Sequence, residues 1–258
     1  MIFRPGDRTN EEFPCDILRR IQGGGMAELY LAKLHNTNHF MVVKGVSQNA
    51  PESYREALKR EAGILKVVRL ETIPEIYGYF EEKEKRYFIM SYHEGQSLEE
   101  KLLRVWLTEK QIKQVGLSLC STLAYLHKKG IVYGDLKPSN IMWTKDSVVL
   151  LDFGTAMFFN EIEQPVCFRG TAGYAAPEWF LGSGKVVTEL ADVFSLGATL
   201  YHLLERQEPT KHFGTFLLQE TQKKNRWQSV LDQCCAPDPE DRYRSMAQVY
   251  HAINKIEV

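Results

Sequence analysis

The spacing of apolar positions changes character twice along the chain. From Cys15 to Val46 short apolar runs alternate with polar residues. Ile17, Leu18 and Ile21 come first, then Leu29-Tyr30-Leu31-Ala32, then Phe40-Met41-Val42-Val43, and the pattern predicts three strands. Gly23, Gly24 and Gly25 punctuate the first pair, as a hairpin with a closely approached turn requires. Over residues 52–69 the period lengthens. Tyr54, Ala57, Leu58, Glu61, Ile64, Leu65 and Val68 recur at helical spacing with charges between them, which predicts an amphipathic helix. Two further strands are expected at 76–80 and 86–91, joined by a charged turn over 81–85. After Glu94-Gly95 the pattern turns helical, with segments near 97–104, 109–129, 188–206 and 243–256. Residues 1–14 read as a short polar lead-in, and no internal repeat or low-complexity tract interrupts the chain.

Strands followed by helices predict an α+β fold in two parts: a β-rich lobe over 1–92 with one helix, and a larger, mainly helical lobe over 93–258. A chain of 258 residues with 44% hydrophobic content can bury one large core or two moderate ones. Its net charge of −1 argues against nucleic acid or an anionic membrane as a partner. No apolar run reaches the roughly 18 residues of a membrane helix; the strongest, near 194–204, is broken by Ser195, Gly197 and His202. The first residues carry no apolar run of the signal-peptide kind, so a cytoplasmic chain is expected. Cys15, Cys120, Cys167, Cys234 and Cys235 are scattered without C-x-x-C spacing, and adjacent Cys234 and Cys235 have no further ligands beside them in sequence. Reduced, structural thiols are expected.

The candidate chemistry concentrates in residues 133–154. Tyr133-Gly134-Asp135-Leu136-Lys137-Pro138-Ser139-Asn140 precedes a short apolar strand and then Asp152-Phe153-Gly154. Phosphoryl transfer needs a carboxylate to orient a hydroxyl nucleophile, a lysine to offset γ-phosphate charge, and oxygen ligands for a divalent metal. Asp135, Lys137 and the pair Asn140 and Asp152 supply those groups. The glycine run reads two ways. Backbone amides approach phosphate oxygens closely where no side chain intervenes, but a plain glycine hairpin has the same composition.

These runs resemble the catalytic loop and metal motif of the bacterial eukaryotic-like (Hanks-type) Ser/Thr protein kinases, and further segments follow in that family's order across 22–242. Residues 22–30 are similar to its glycine loop, with Gln22 and Ala27 at the first and third glycine positions. Met41-Val42-Val43-Lys44 resembles its lysine strand, and Tyr87 to Gly95 its linker. The resemblance implies that Gly23, Gly24 and Gly25 approach the phosphates of ATP, and that Lys44, paired with Glu61, holds the α- and β-phosphates. Leu29, Val42 and Met142 would enclose adenine, Met90 would be the gatekeeper, and backbone groups of Ser91 and His93 would meet the adenine edge. Asp135 would orient the substrate hydroxyl, Lys137 would steady the γ-phosphate, and Thr171 would hydrogen-bond both. Asn140 and Asp152 would bind Mg²⁺, with Mn²⁺ as a substitute. Gly170 to Glu178 and Asp192 to Gly197 match two further motifs. In the family the aspartate of the second anchors the catalytic loop, and an arginine, here Arg242, pairs with Glu178. Leu65, Ile76, Tyr133 and Phe153 would form an apolar column anchored at Asp192. The implied activity is ATP-dependent phosphoryl transfer to Ser/Thr hydroxyls of protein substrates, since lysine two residues after the aspartate marks Ser/Thr specificity in this family.

Two departures bear on regulation. Gly134 stands where the family often has an arginine that pairs with a phosphorylated activation loop. Residues 156–169 contain no Ser, Thr or Tyr, and Thr155 is the only hydroxyl between Gly154 and Gly170. Activity independent of loop phosphorylation is therefore expected, with Met157, Phe158, Phe159, Ile162, Val166 and Phe168 ordering the loop by packing. Gln22, Ala27 and Gly134 also suggest an alternative, a pseudokinase-like nucleotide-binding regulator. A kinase for a specialised non-protein substrate is a third reading. Substrate, upstream signal and oligomeric state leave no mark in the sequence.

Overall fold

The computed structural model describes residues 2–22, 27–47, 49–82, 85–145, 147–161, 170–180, 187–209 and 226–258. Gly23, Gly24, Gly25, Ile162, Val166, Cys167 and Phe168, singled out from the sequence, lie outside the described residues. The chain divides into two compact units, Met1–Glu94 and Gly95–Val258.

The first unit is an antiparallel sheet with one helix. Its elements are β1 (Cys15–Gln22), β2 (Glu28–Leu34), β3 (Phe40–Ser47), α1 (Glu52–Val67), β4 (Ile76–Glu81) and β5 (Lys85–Ser91), with strand order β1-β2-β3-β5-β4. Leu29 pairs with Lys44, Lys44 with Phe88 and Val42 with Met90, so these residues share one face of the sheet. The opposite face carries Tyr30, Val43, Tyr87 and Ile89, which form a core with Phe3, Cys15, Ile17, Ala32 and Met41. In α1 the helical period buries Leu58, Glu61, Ala62, Ile64 and Leu65. Glu52 in its first turn and Lys66 in its last complement the helix dipole.

Two expectations change here. Residues 2–14 are more than a polar lead-in: Phe3 is 1% exposed and stands edge-on to both Tyr30 and Tyr87. Met1-Ile2-Phe3 is too short an apolar run to carry a period, so the pattern could not announce it. Conversely, Leu18 and Ile21, counted as apolar strand positions, are exposed at 40% and 42%.

The second unit contains β6 (Gln96–Ser97), α2 (Leu98–Leu102), α3 (Glu109–Lys128), β7 (Ile131–Val132), β8 (Ile141–Trp143), β9 (Val148–Leu150), β10 (Met157–Phe158), α4 (Leu190–Glu205), α5 (Gln228–Cys234) and α6 (Met246–Asn254). Capping boxes start α2 (Ser97 with Glu100) and α3 (Thr108 with Gln111), satisfying amides that have no partner inside the helix. Helix α4 is buried from Ala191 to Leu203, while α3 packs against α6 and α4. Strands β6, β8 and β9 form one small sheet and β7 with β10 another. Helix α5, with seven residues, was too short to show a period in the sequence. Among the described residues no helix is long and apolar enough to cross a membrane. Cys15, Cys120, Cys234 and Cys235 are free and buried. Burial pushes the Cys15 thiol up to about 11 and Cys120 to about 12, and it raises Cys234 and Cys235 as well.

Candidate active site

In the first unit the Lys44 Nζ donates to Glu61 Oε1 at 2.7 Å, and both side chains are buried. β3 supplies the lysine because its register turns Lys44 to the face shared with Val42 and Met90; α1 supplies the glutamate from its buried stripe. Val42 and Met90 are buried and Leu29 is half-buried. At the end of β5, the Ser91 N–H donates to the Glu75 carbonyl at 2.8 Å, and the Ser91 hydroxyl lies 2.9 Å from His93 Nε2. Burial pushes the His93 imidazole below its ordinary value.

In the second unit four of the singled-out side chains meet. Thr171 Oγ1 donates to Asp135 Oδ1 at 2.7 Å, and Lys137 Nζ reaches Thr171 Oγ1 at 2.6 Å and Asp135 Oδ2 at 2.8 Å. Asn140 Nδ2 donates to the backbone carbonyl of Asp135 at 2.8 Å and to its Oδ2 at 3.1 Å. Local sequence explains the bend. Pro138 opens a single 3₁₀ turn over Pro138–Asn140, where its missing N–H costs nothing and its fixed φ suits the first position. The turn folds Asn140 back over Asp135, and the Leu151 N–H donates to the Asn140 carbonyl at 2.8 Å.

The loop is anchored from below by Asp192, which is fully buried in the first turn of α4. Its carboxylate accepts the N–H groups of Tyr133 and Gly134, each at 2.9 Å, and lies 2.8 Å from His127 Nε2. Tyr133 is buried edge-on against Phe153, with ring centroids 5.3 Å apart, and its hydroxyl donates to the Leu151 carbonyl. Leu65, in the first unit, is buried within α1, and Ile76 is half-buried in β4. Asp152 is exposed with φ 53°, and its carboxylate accepts the Gly154 N–H at 3.3 Å. Met142 is half-buried in β8, opposite Val149. Further along, Arg242 and Glu178 form a bidentate pair at 2.6 and 2.8 Å with both side chains fully buried.

Among the described residues no group of three His, Cys, Asp or Glu side chains could cage a metal. The singled-out metal ligands are an amide and a carboxylate. With the Asn140 nitrogen committed to Asp135, its oxygen is the atom left to coordinate, and Asp152 offers exposed carboxylate oxygens. Few hard oxygen donors suit Mg²⁺, which keeps water and phosphate oxygens in its shell rather than entering an all-protein cage.

A family model for the protein kinase domain matches residues 16–253. The chain belongs to the protein kinase family. It is 28% identical to the serine/threonine-protein kinase PknD of Chlamydia pneumoniae, over 91% of this chain and 30% of that protein. It is 27% identical to the serine/threonine-protein kinase D of a Synechocystis strain, over 93% of this chain and 52% of that protein. The PknD of Chlamydia muridarum is 30% identical over 75% of this chain and 25% of its own length. The kinase chain thus spans about a quarter to a half of the length of these curated relatives.

The α+β architecture expected from the pattern is that of a protein kinase domain. One residue of the kinase's anchoring network went unread in the sequence. His127 sits in the last turn of α3, where a basic residue is an ordinary partner for the helix dipole, so nothing set it apart.

Proposed function

We propose that this kinase chain transfers the γ-phosphoryl group of ATP to Ser/Thr hydroxyls of protein substrates. The observation that carries the reading is the Asp135–Lys137–Thr171–Asn140 network, in which three side chains hold one carboxylate. Phosphoryl transfer asks little covalent chemistry of a protein and much positioning and charge compensation. Asp135 orients the substrate hydroxyl and takes its proton as the oxygen attacks. Lys137 lies between Asp135 and Thr171 and offsets charge at the transferring group. Lys44, steadied by Glu61, holds the α- and β-phosphates, and Gly23 to Gly25 approach them. Leu29, Val42, Met90 and Met142 supply apolar contacts to adenine. Ser91 commits its N–H to Glu75, so its contribution to the adenine edge comes from the carbonyl, with His93 supplying the N–H. Asn140 and Asp152 would hold Mg²⁺, which would supply positive charge against the phosphates. The Ser/Thr assignment draws support from Lys137 in the loop and from the names of the relatives.

Activity is independent of activation-loop phosphorylation. Gly134 has no side chain to receive a phosphate, and Thr155 is already engaged, its hydroxyl donating to the Tyr133 carbonyl at 3.1 Å. A second reading, a nucleotide-binding regulator, is favoured by Gln22 and Ala27 at glycine positions of the phosphate loop and by Gly134.

The test compares the parent with Asp135→Asn using ATP labelled in its γ-phosphoryl group, Mg²⁺ and a generic protein substrate, followed by mapping of the phosphosites. Asp135→Asn is expected to bind nucleotide as the parent does and to lose about 10²–10⁴-fold in kcat. Equal turnover in parent and mutant would remove Asp135 from the mechanism. Nucleotide binding without transfer in the parent would favour the regulator, and label on small molecules alone the non-protein substrate.

A further inference from the structure

Residues 2–14 precede the stretch matched by the family model, yet they are built into the first unit. Phe3 lies with its ring centroid 5.6 Å from that of Tyr30 and 5.2 Å from that of Tyr87, and Lys85 Nζ stands 3.9 Å over it. The backbone is fastened as well. The Ile2 N–H donates to Glu28 Oε2 at 3.0 Å and, with the Phe3 N–H, to the Tyr30 hydroxyl at 3.1 and 3.2 Å. Gly6 N–H donates to the Ile17 carbonyl at 2.9 Å, Ile17 N–H to the Asp7 carbonyl at 2.8 Å, and Asn10 N–H to the Tyr87 hydroxyl at 3.1 Å.

What these contacts hold is specific. Glu28 opens β2 and pairs across the sheet with Gly45, the residue after Lys44. Ile2 lies so close over Gly45 that a Cβ there would fall 2.6 Å from its Cδ1. Tyr30 pairs with Val43, the residue before Lys44. Side chains alternate across a sheet, so the segment backs both neighbours of Lys44 from the face opposite the lysine.

We propose that residues 2–10 are a positioning strap for nucleotide binding, with Phe3 as the positioning residue of the strap and Glu28 as its partner on β2. The inference rests on the phosphotransfer reading above, in which Lys44 holds the phosphates of ATP. A short segment pinned by one aromatic ring and a few hydrogen bonds opens more readily than the sheet beneath it. Undocking uncovers the backs of β2 and β3 and loosens the strand that aims Lys44. Apparent affinity falls in proportion to the fraction of molecules that remain docked. Chemistry at Asp135 keeps its rate.

The experiment measures the Kd of a non-hydrolysable ATP analogue with Mg²⁺, together with KM for ATP and kcat, for the 258-residue parent, Phe3→Ala, Phe3→Leu, Glu28→Gln and Tyr30→Phe. Circular dichroism and Tm establish that each variant is folded at the assay temperature. Phe3→Ala is expected to raise Kd and KM about 10-fold, as a strap docked in about a tenth of molecules requires, with kcat within about 2-fold. Phe3→Leu restores most of the affinity, and Glu28→Gln and Tyr30→Phe raise Kd about 3-fold each. Tyr30→Phe removes a single oxygen, so it decides the matter if Phe3→Ala does not fold. Folded variants with parental Kd and KM and only a lower Tm would overturn the proposal, as would a loss confined to kcat. A parent that binds no nucleotide overturns the phosphotransfer reading, and the strap with it.

Discussion

Gly134 shows how one residue can change both charge and backbone strain. Its φ is +81°, in the left-handed region where a side chain costs about 1–2 kcal/mol. The space around it is adequate, since an added Cβ would lie 3.5 Å from the Thr155 carbonyl, an ordinary contact. The glycine therefore leaves the loop relaxed while removing the charge a phosphorylated loop would need. Gly134→Ala is expected to lower stability by about 1–2 kcal/mol, read as a fall in Tm. Its kcat should stay near the parental value, because Asp192 holds the loop through backbone N–H groups that alanine also has. An unchanged Tm would contradict the strain argument. Residues this close in sequence were also the most legible. Asp135, Lys137 and Asn140 lie within one bend, so nearness along the chain becomes nearness in space. Thr171 came only through the family resemblance, because nothing local ties a threonine in another segment to that carboxylate.

The pairing of Lys44 with Glu61 belongs to the scale of elements, since it joins β3 to α1. Two separate periods had to agree: the strand's alternation, which turns Lys44 away from Val43, and the helix's stripe, which buries Glu61 with Leu58 and Leu65. Both periods extend over enough residues to be read from sequence. Helix α5 and the segment before β1 do not, and they were missed for that reason. Lys44→Met removes one partner of a buried pair and leaves a carboxylate that is 3% exposed. Breaking such a pair costs about 3–5 kcal/mol when no water enters. Loss of phosphotransfer with a clear fall in thermal stability is expected. Retention of full activity would end the assignment of Lys44 to the phosphates, whatever the stability change.

At the scale of the whole molecule, control and unfolding are the quantities to measure. Treating purified protein with a broad phosphatase, with dephosphorylation confirmed by intact mass, should leave the initial rate on one substrate unchanged. A large loss restored by preincubation with ATP would point to a phosphosite elsewhere in the chain. The two-part α+β architecture was legible because strands and helices segregate along the sequence. The glycine run was ambiguous in composition alone, and its residues lie outside those described. The buried thiols carry a last consequence. Cys15 belongs to the first unit, while Cys120, Cys234 and Cys235 belong to the second. Each thiol is shielded and held protonated by burial, so an alkylating reagent reaches it only when its surroundings open. In a Cys167→Ser background, labelling followed by mass spectrometry under rising denaturant turns the cysteines into separate clocks for the two units. The smaller unit has less surface to bury and is expected to open first, so Cys15 should be alkylated at lower denaturant than the other three. Simultaneous labelling of all four would mean that the chain opens as one cooperative body.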